Sequence, residues 1–331
     1  MIAPRVHAQR GVALITVLLV VAIATVVTAG MIARQQLSIR SSSNQLSARQ
    51  AWHYALGGEA LAQAMLARDL KQPGGNPGQP VDHLREAWAR KLAPFEVDEG
   101  RISLQIEDLA GRFNLNSLVV NQKVIPQARK RFDRLLQRLQ IDPQYADRLV
   151  DWLDEGQDPS GASGAEDNQY LLLQPAYRTG NRRLQDVSEL RLLLELSERD
   201  YRRLQPYVSA LPADIKLNVN TASALVLSTL SDTLSLQQAQ ELIQGRGAEG
   251  YRTLADFTAQ PVLAAAGAQL NDLAVSSRFF QARSEVQLGE RKRVLISVLQ
   301  READGRVLVL QRDLGQSARV LLTDKKLEER P

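Results

Sequence analysis

The sequence predicts an α+β fold, in which a long N-terminal helix packs on an antiparallel sheet and a large all-α domain is inserted into that sheet. An apolar run begins the chain and continues as a polar helical pattern. One strand pattern lies near residue 105 and three more follow residue 272, with a helical block of roughly 150 residues between them. A separate helical domain on a linker would leave the first strand without partners, so one interrupted sheet is the simpler interpretation.

The first element is an uncharged apolar run that follows Gly11 and continues to Ala33. Roughly 22 residues in a helix extend over about 30 Å, which is the thickness of a bilayer core. A helix also satisfies its own backbone hydrogen bonds in lipid. The chain is therefore expected to begin at a membrane.

Three classes of segment fit this run. A secretory signal peptide would contain only about 7–15 apolar residues before a small-x-small cleavage site, and residues 22–24 (Ala-Ile-Ala) offer such a site inside a longer run. A plain anchor explains the length but not the glycine at the boundary. The order Arg10-Gly11-Val12 resembles a type IV prepilin signal. That resemblance implies a leader at residues 1–11, peptidase cleavage between Gly11 and Val12, and N-methylation of Val12.

Thr16 departs from the usual pattern of that class. Most pilin-like proteins carry Glu at the fifth mature residue, where it is thought to pair with the N-terminal amine of a neighbouring subunit, and here that position is Thr16. A carboxylate in lipid is costly unless it is paired. A subunit without it needs no such pairing, which suits the first subunit of a filament. The alternative is that Thr16 is a small polar residue tolerated in the helix.

The composition excludes several kinds of site. The chain has no cysteine, so disulfides and thiol chemistry are impossible. Its three histidines are scattered, and His7 lies in the predicted leader, which argues against a histidine metal site or a catalytic triad. The formal charge of +4 would fall to +2 with the loss of Arg5 and Arg10. This charge is too small to indicate nucleic-acid binding.

After the apolar run, the helical pattern continues to about Lys71 without a proline. Gly57-Gly58 marks a point for a bend or for close packing, and a Gly/Pro segment at residues 72–80 ends the helix. A second, short helix is expected at residues 81–92. The predicted strands are residues 101–107, 278–288, 292–300 and 306–311, with Asp304-Gly305 as a hairpin turn.

The helical block contains a second recognisable arrangement at residues 217–262, which resembles a helix-hairpin-helix module. In DNA-binding versions a glycine-rich hairpin presents backbone N–H groups to phosphate. The corresponding hairpin here, residues 230–235 (Leu-Ser-Asp-Thr-Leu-Ser), has no glycine and no basic residue. The sequence therefore predicts a structural module that does not bind nucleic acid.

An acidic loop at residues 151–170 is the best candidate for a chemical site, because six carboxylates fall within 17 residues among glycines and a proline. Calcium takes six to eight oxygen ligands from carboxylates, carbonyls and water. The loop lacks the EF-hand pattern, and the alternative is a solvated acidic loop. The predicted ligands are Asp154, Asp158, Glu166 and Asp167.

A catalytic pair of carboxylates in this loop is disfavoured. Glycosidase-type chemistry needs two acids that face a sugar cleft, and the loop offers no aromatic platform beyond Trp152 and Tyr170. The chain is therefore not expected to be an enzyme.

Several motifs taken together resemble the K-type minor pseudopilin of type II secretion (general secretion pathway protein K), over nearly the whole chain. They are Gly11 with Thr16, residues 111–116 (Gly-Arg-Phe-Asn-Leu-Asn), residues 152–154 (Trp-Leu-Asp), residues 164–167 (Gly-Ala-Glu-Asp) with Tyr170, and residues 218–222 (Asn-Val-Asn-Thr-Ala). The resemblance implies five parts, which are a leader at 1–11, a transmembrane and stem helix at 12–72, a pilin-like α/β core at 73–118 and 272–315, an inserted helical domain at 119–271, and a flexible tail at 316–331.

The same resemblance implies a function. The chain would be a minor pseudopilin at the tip of the type II pseudopilus, assembling with I-type and J-type minor pseudopilins to initiate or cap the filament during export across the outer membrane. Its other partners would be further pseudopilins, prepilin peptidase and the inner membrane, with the globular part in the periplasm. Calcium in the acidic loop is implied as well.

Two alternatives remain open from the sequence. One is a membrane-anchored helix-hairpin-helix protein that binds DNA for uptake. The other is an exported metal-dependent hydrolase that uses the acidic loop.

Overall fold

The computed structural model describes residues 10–70, 80–98, 100–268 and 270–314. Residues 1–9 of the predicted leader and the predicted tail at 316–331 therefore lie outside the described residues. The chain forms two units, one that ends at Tyr54 and one that begins at Ala55. Helix α1 (Arg10–Asp69) contributes residues to both.

The other elements follow in chain order. The helices are α2 (Pro126–Arg138), α3 (Gln144–Leu153), α4 (Asp167–Tyr170), α5 (Glu198–Leu204), α6 (Ala224–Ser228), α7 (Leu236–Gly245), α8 (Leu254–Thr258) and α9 (Pro261–Ala265). The strands are β1 (Phe95–Val97), β2 (Gly100–Asp108), β3 (Phe113–Asn114), β4 (Val119–Val120), β5 (Lys123–Val124), β6 (Val208–Ser209), β7 (Leu217–Asn218), β8 (Leu273–Ala274), β9 (Phe279–Leu288), β10 (Arg291–Arg301) and β11 (Val307–Asp313). Single turns of 3₁₀ helix lie at Leu115–Ser117, Val187–Leu192 and Gln205–Tyr207.

The main sheet is antiparallel with the strand order β1-β2-β9-β10-β11. The chain leaves this sheet at the end of β2 and returns in β9, the strand next to it. Asp108 is paired with Phe280, so the two ends of the insertion lie opposite each other. The predicted α+β class and the interrupted sheet are confirmed, and the four long strands match the predicted ranges within one or two residues.

Close packing, rather than a bend, explains one glycine in α1. The helix continues through Gly57 and Gly58 without interruption. A Cβ atom on Gly58 would lie 2.2 Å from Oγ of Ser284 in β9, whereas a Cβ on Gly57 would meet nothing within 4 Å. Gly58 therefore allows the helix backbone to approach the sheet directly.

Apolar and ionic contacts hold the second half of α1 on the sheet. The buried apolar side chains of this core include Ala62, Leu66, Trp88, Leu104, Ile106, Phe280, Ala282 and Leu299. Beside them, buried Glu59 accepts hydrogen bonds from Ser297 Oγ at 2.5 Å and from Arg312 Nη2 at 2.8 Å. These contacts link the helix to the two strands at one edge of the sheet.

The insertion has two apolar cores of its own. The first is built by residues between Phe113 and Val208 and the second by residues between Leu217 and Leu273. Two-residue parallel pairs, β3 with β6 and β7 with β8, lie at the boundaries of these cores. These short pairings were not predicted, because two residues give no alternating pattern.

The predicted helix at residues 81–92 is wrong, since this stretch consists of turns. Side chains compete with a helical backbone here. The Glu86 carboxylate accepts from the backbone N–H of His83 at 3.1 Å, and the N–H of Asp82 donates to the carbonyl of Val275 at 2.9 Å. Strand β1, which follows these turns, was also not predicted.

Candidate functional site

The first functional element is the apolar part of α1. Among the described residues, α1 is the one helix long and apolar enough to cross a membrane, and the apolar part is exposed throughout. Gly11 and Val12 lie at the start of this helix. The segment is a candidate for a single membrane anchor.

Thr16 is satisfied within this helix. Its hydroxyl donates to the carbonyl of Ala13 at 2.9 Å, as Thr25 and Thr28 do to the carbonyls of Val21 and Ala24. Such bonds pair a polar side chain without help from a second chain. Thr16 therefore places no demand on a neighbouring subunit.

The hairpin of the helix-hairpin-helix module is engaged by helix α2. Arg134 forms two bonds with the Asp232 carboxylate, at 2.5 and 2.8 Å. Nη2 of Arg138 donates to the carbonyls of Ser228, Ser231 and Leu234 at 2.8–3.1 Å. The hairpin is therefore a packing surface for α2 and carries an acid where a DNA-binding hairpin would offer N–H groups. This arrangement does not favour DNA uptake.

The acidic loop contains two buried carboxyl groups that lack donors. Among the described residues, neither Oε1 nor Oε2 of Glu166 has a hydrogen-bond partner, and Oδ2 of Asp151 has none. Glu166 is 1% exposed and Asp151 is 0% exposed. The other oxygen of Asp151 accepts from the N–H of Ser160 at 2.8 Å. A buried, unpaired carboxylate is costly, so these oxygens require a cation or a proton.

The pKa values reflect this shortage of donors. Burial, followed by the charges of Asp151, Asp154 and Asp167, raises the pKa of Glu166 to about 7, against the opposing effect of the Thr179 hydroxyl. Burial likewise raises the pKa of Asp151 and of Asp154, against the hydrogen bonds that each accepts. The charges of Asp151, Asp154 and Asp167 thus act on Glu166, although the described residues Asp151, Asp154 and Glu166 do not bring their ligand oxygens within 4.8 Å of one another as a set.

The other two predicted ligands lie in different surroundings. Asp167 accepts from the N–H and the hydroxyl of Thr179, both at 3.0 Å, and from Nη1 of Arg178 at 2.7 Å. Burial opposes ionisation of Asp167, but these bonds and the Arg178 charge hold its pKa below the usual value. Asp158 is exposed.

Asp151 is the member of this site that the sequence analysis missed. It lies in the last turn of α3, and its neighbours Val150 and Trp152 are also buried. Its position could have been predicted, because it is a carboxylate on the buried face of an amphipathic helix directly before an acidic loop. Gly164 leaves room for the Asp151 carboxylate, because a Cβ at position 164 would lie 2.3 Å from Oδ2 of Asp151.

A second group of carboxylates lies between the end of α1 and the turns that follow it. Ligand oxygens of Asp69, Asp82 and Glu86 all lie within 4.8 Å of one another. Unlike Glu166 of the acidic loop, these carboxylates have hydrogen-bond donors or cations beside them. Arg301 pairs with Asp82 at 2.5 Å and with Asp69 at 3.0 Å, and Trp88 Nε1 donates to Glu86 at 2.6 Å. We call these three carboxylates the junction cluster.

The asparagines of the recognised motifs serve structure. Nδ2 of Asn218 donates to Asp108 Oδ2 at 3.0 Å and to Ser277 Oγ at 2.9 Å. Asn116 Nδ2 donates to the carbonyls of Leu184 and Leu211, both at 2.9 Å. These bonds satisfy buried backbone and carboxylate groups where the insertion joins the sheet.

Comparison with known proteins assigns this architecture. The family model described as "Type II secretion system (T2SS), protein K" matches residues 111–213, and a second model of the same description matches residues 217–276. These ranges correspond to the two cores of the insertion. The type II secretion system protein K of Pseudomonas aeruginosa is 56% identical to the chain over 93% of each sequence. The chain belongs to the type II secretion system protein K family.

More distant relatives agree with this assignment. Protein K of Klebsiella pneumoniae is 38% identical, covering 93% of this chain and 97% of that protein. A crystal structure of the GspK-GspI-GspJ complex from enterotoxigenic Escherichia coli contains a chain of the same fold, with a TM-score of 0.74 and 27% identity, covering 83% of this chain and 99% of that one. The chain is thus a minor pseudopilin of type II secretion, a structural component of the machinery.

Proposed function

We propose that the chain is the subunit at the tip of the type II pseudopilus, where it assembles with I-type and J-type minor pseudopilins to initiate or cap the filament. The observation that carries this proposal is the likeness to a solved protein K in complex with GspI and GspJ, which extends over 99% of that chain. The insertion, which adds two apolar cores to the sheet, supports a place at an end of the filament, because it would crowd a subunit placed within the shaft.

The proposed route to that position begins with processing. Prepilin peptidase cuts between Gly11 and Val12, Val12 is N-methylated, and the apolar part of α1 holds the chain in the inner membrane with the globular part in the periplasm. Internal pairing of the Thr16 hydroxyl supports a subunit that requires no charge partner in lipid. The chain acts through assembly, and no step requires it to catalyse a reaction.

We also propose that the acidic loop binds calcium. The unpartnered oxygens of Glu166 and Asp151 fit a hard cation, and Asp154 lies on the same loop with its pKa raised by burial. Calcium would neutralise this buried charge and fix the loop. Asp158 and Asp167 stay predictions, and Asp167 would have to share its oxygens with Arg178 and Thr179.

Co-purification tests the assembly. The full-length chain is expressed with candidate I-type and J-type pseudopilins and purified in detergent, once with calcium and once with chelator. A stoichiometric three-subunit complex supports the tip assignment. Recovery of the chain with DNA and without either subunit would instead favour the uptake alternative. A separate variant, Thr16→Glu, tests whether restoring the common pilin carboxylate alters recovery of the complex.

A further inference from the structure

Five arginines are buried among the described residues, and one of them differs from the others. Arg134, Arg148, Arg246 and Arg301 each donate to carboxylates or backbone carbonyls. Arg131 in α2 is only 7% exposed, its Nε atom is fully buried, and it makes no hydrogen bond to any described residue. A buried charge is normally retained only with a partner, so Arg131 requires an explanation.

Arg131 lines a cavity of about 250 Å³. The cavity lies where the insertion joins the sheet, next to β3 and to the segment that leads into β7. One face of the guanidinium lies over the ring of Phe113, with its Cζ 5.7 Å from the ring centroid. Its remaining hydrogen-bonding capacity therefore lies in the plane of the group, where a carboxylate can accept two parallel bonds.

Charges at the rim of the cavity do not neutralise Arg131. Asp214 and Asp272 line the cavity and are exposed, and Asp272 acts on Arg131 only through its charge, with no hydrogen bond. Burial lowers the pKa of Arg131 to about 10, and the Asp272 charge opposes this shift. Arg131 therefore remains cationic at neutral pH. Exposed Lys216, on the same rim, adds a second cation.

We propose that this cavity binds a carboxylate, which pairs with the guanidinium of Arg131 in its plane while Lys216 attracts it to the rim. The group can come from a small organic acid or from an acidic side chain of an assembled subunit. Both sources offer the same planar anion to the same guanidinium. The inference does not depend on the tip assignment, because it rests on Arg131 and the cavity alone.

The experiment uses the full-length chain in detergent at pH 7, with calcium held constant so that the acidic loop does not change. The unfolding midpoint is followed by tryptophan fluorescence while potassium acetate replaces potassium chloride at constant ionic strength. We expect a saturable rise of about 3 °C at ten times the dissociation constant. An equal midpoint in acetate and in chloride at all concentrations would overturn the proposal.

Three variants assign the effect to the guanidinium. Arg131→Met should lose the acetate response, and Arg131→Lys, which keeps the charge but not the fork, should weaken acetate binding about tenfold. Lys130→Met removes the same charge from the exposed neighbour on α2 and should respond like the wild type. An acetate response retained by Arg131→Met would contradict the proposal.

A second readout avoids the risk that Arg131→Met fails to fold. In chloride alone, that variant should unfold at the same temperature as the wild type or higher, because it removes a buried charge that has no partner. A large loss of stability would mean that Arg131 is already paired, and would overturn the inference.

The three-subunit complex then tests whether the carboxylate comes from a small organic acid or from a side chain of an assembled subunit. If the complex with I-type and J-type subunits no longer responds to acetate, a side chain of a partner fills the cavity. If the response persists, a small carboxylate is the ligand.

Discussion

The acidic loop and the junction cluster each contain buried carboxylates, and they differ in the donors that surround them. The junction cluster brings its oxygens within 4.8 Å of one another, but Arg301 and the indole of Trp88 supply charge and hydrogen bonds. In the loop, neither oxygen of Glu166 has a hydrogen-bond partner with good geometry among the described residues, and the nearby Thr179 hydroxyl lowers the Glu166 pKa less than burial raises it. The number of carboxylates therefore does not identify a cation site. The calcium proposal rests instead on buried carboxylate oxygens that lack donors.

Removal of Arg301 should give the largest effect in this comparison. Arg301→Met leaves buried Asp82 and half-buried Asp69 without a cation, and loss of one partner from a buried ion pair typically costs about 3–5 kcal/mol. The free energy of unfolding, measured with urea, should fall by that amount with or without calcium. Arg278→Met is the matched control, because Arg278 is on the surface and its pair with Glu302 is 3.7 Å long. Rescue of Arg301→Met by calcium would mean that the junction cluster is itself a cation site.

Glu166→Gln should have the next largest effect, and only in calcium. At a calcium concentration of 100 times the dissociation constant, binding stabilises the wild type by about 2.7 kcal/mol, and the variant should lose most of this gain. In chelator above pH 7 the variant should be at least as stable as the wild type, because a buried and unpaired charge is gone. Thermal unfolding in calcium and in chelator measures both.

Glu155→Gln is the control for this loop, because it removes an exposed charge from the same segment. Its response to calcium should match that of the wild type. An equal loss of the calcium effect in both variants would indicate a general effect of loop charge, and would count against Glu166 as a ligand.

The pH dependence of stability should separate the junction cluster from the loop. Burial, then the charges of Asp69 and Asp82, raises the pKa of Glu86 from 4.5 to about 8. The folded state therefore retains a proton that the unfolded state releases, so this contribution to stability is complete below pH 4.5 and is lost as the pH rises to 8. Glu86→Gln should make this decline smaller, although Asp69 and Glu166, with pKa values raised to about 6 and about 7, still contribute to it, and should leave the calcium response intact. Urea unfolding at pH 5, 6, 7 and 8 measures the difference, and parallel curves for both proteins would refute the assignment.

Asp158→Asn should have the smallest effect. Asp158 is exposed, so it would have to leave water to bind an ion that buried oxygens already attract. We expect its calcium midpoint to change less than twofold in a titration followed by thermal unfolding. A change as large as that of Glu166→Gln would make Asp158 a full ligand, and burial would then be a poor guide to this site.

The regular elements of the fold were predictable, because they repeat a local pattern. The strands alternate apolar and polar residues, and the burial of β9 alternates in the same way over the nine residues from Phe280 to Leu288. The apolar part of α1 was predictable from its length and lack of charge. The turns at residues 81–92 were not, because the partners of Asp82 are Ser277 and Arg301, which lie 195 and 219 residues further along the chain.

The acidic loop was predictable as a segment, but its buried members were not. Composition marks residues 151–170 as unusual, yet it does not distinguish Glu166, which has no donor, from Asp167, which has Thr179 and Arg178. That difference depends on residues 178–179 folding back onto the loop. The lack of a hydrogen-bond partner for Arg131 among the described residues was not predictable either, because it depends on tertiary structure. Helix α2 carries several arginines with similar sequence surroundings.

The position of the insertion between two neighbouring strands affects the order in which the chain folds. β2 cannot pair with β9 until roughly 170 further residues have been made, which takes on the order of 10–30 s at the usual pace of synthesis. The two cores of the insertion can form during that delay. Their formation brings Asp108 and Phe280 together and so lowers the entropic cost of closing a very long loop. The inserted domain would then hold the two neighbouring strands close to each other, so that the small sheet can form last.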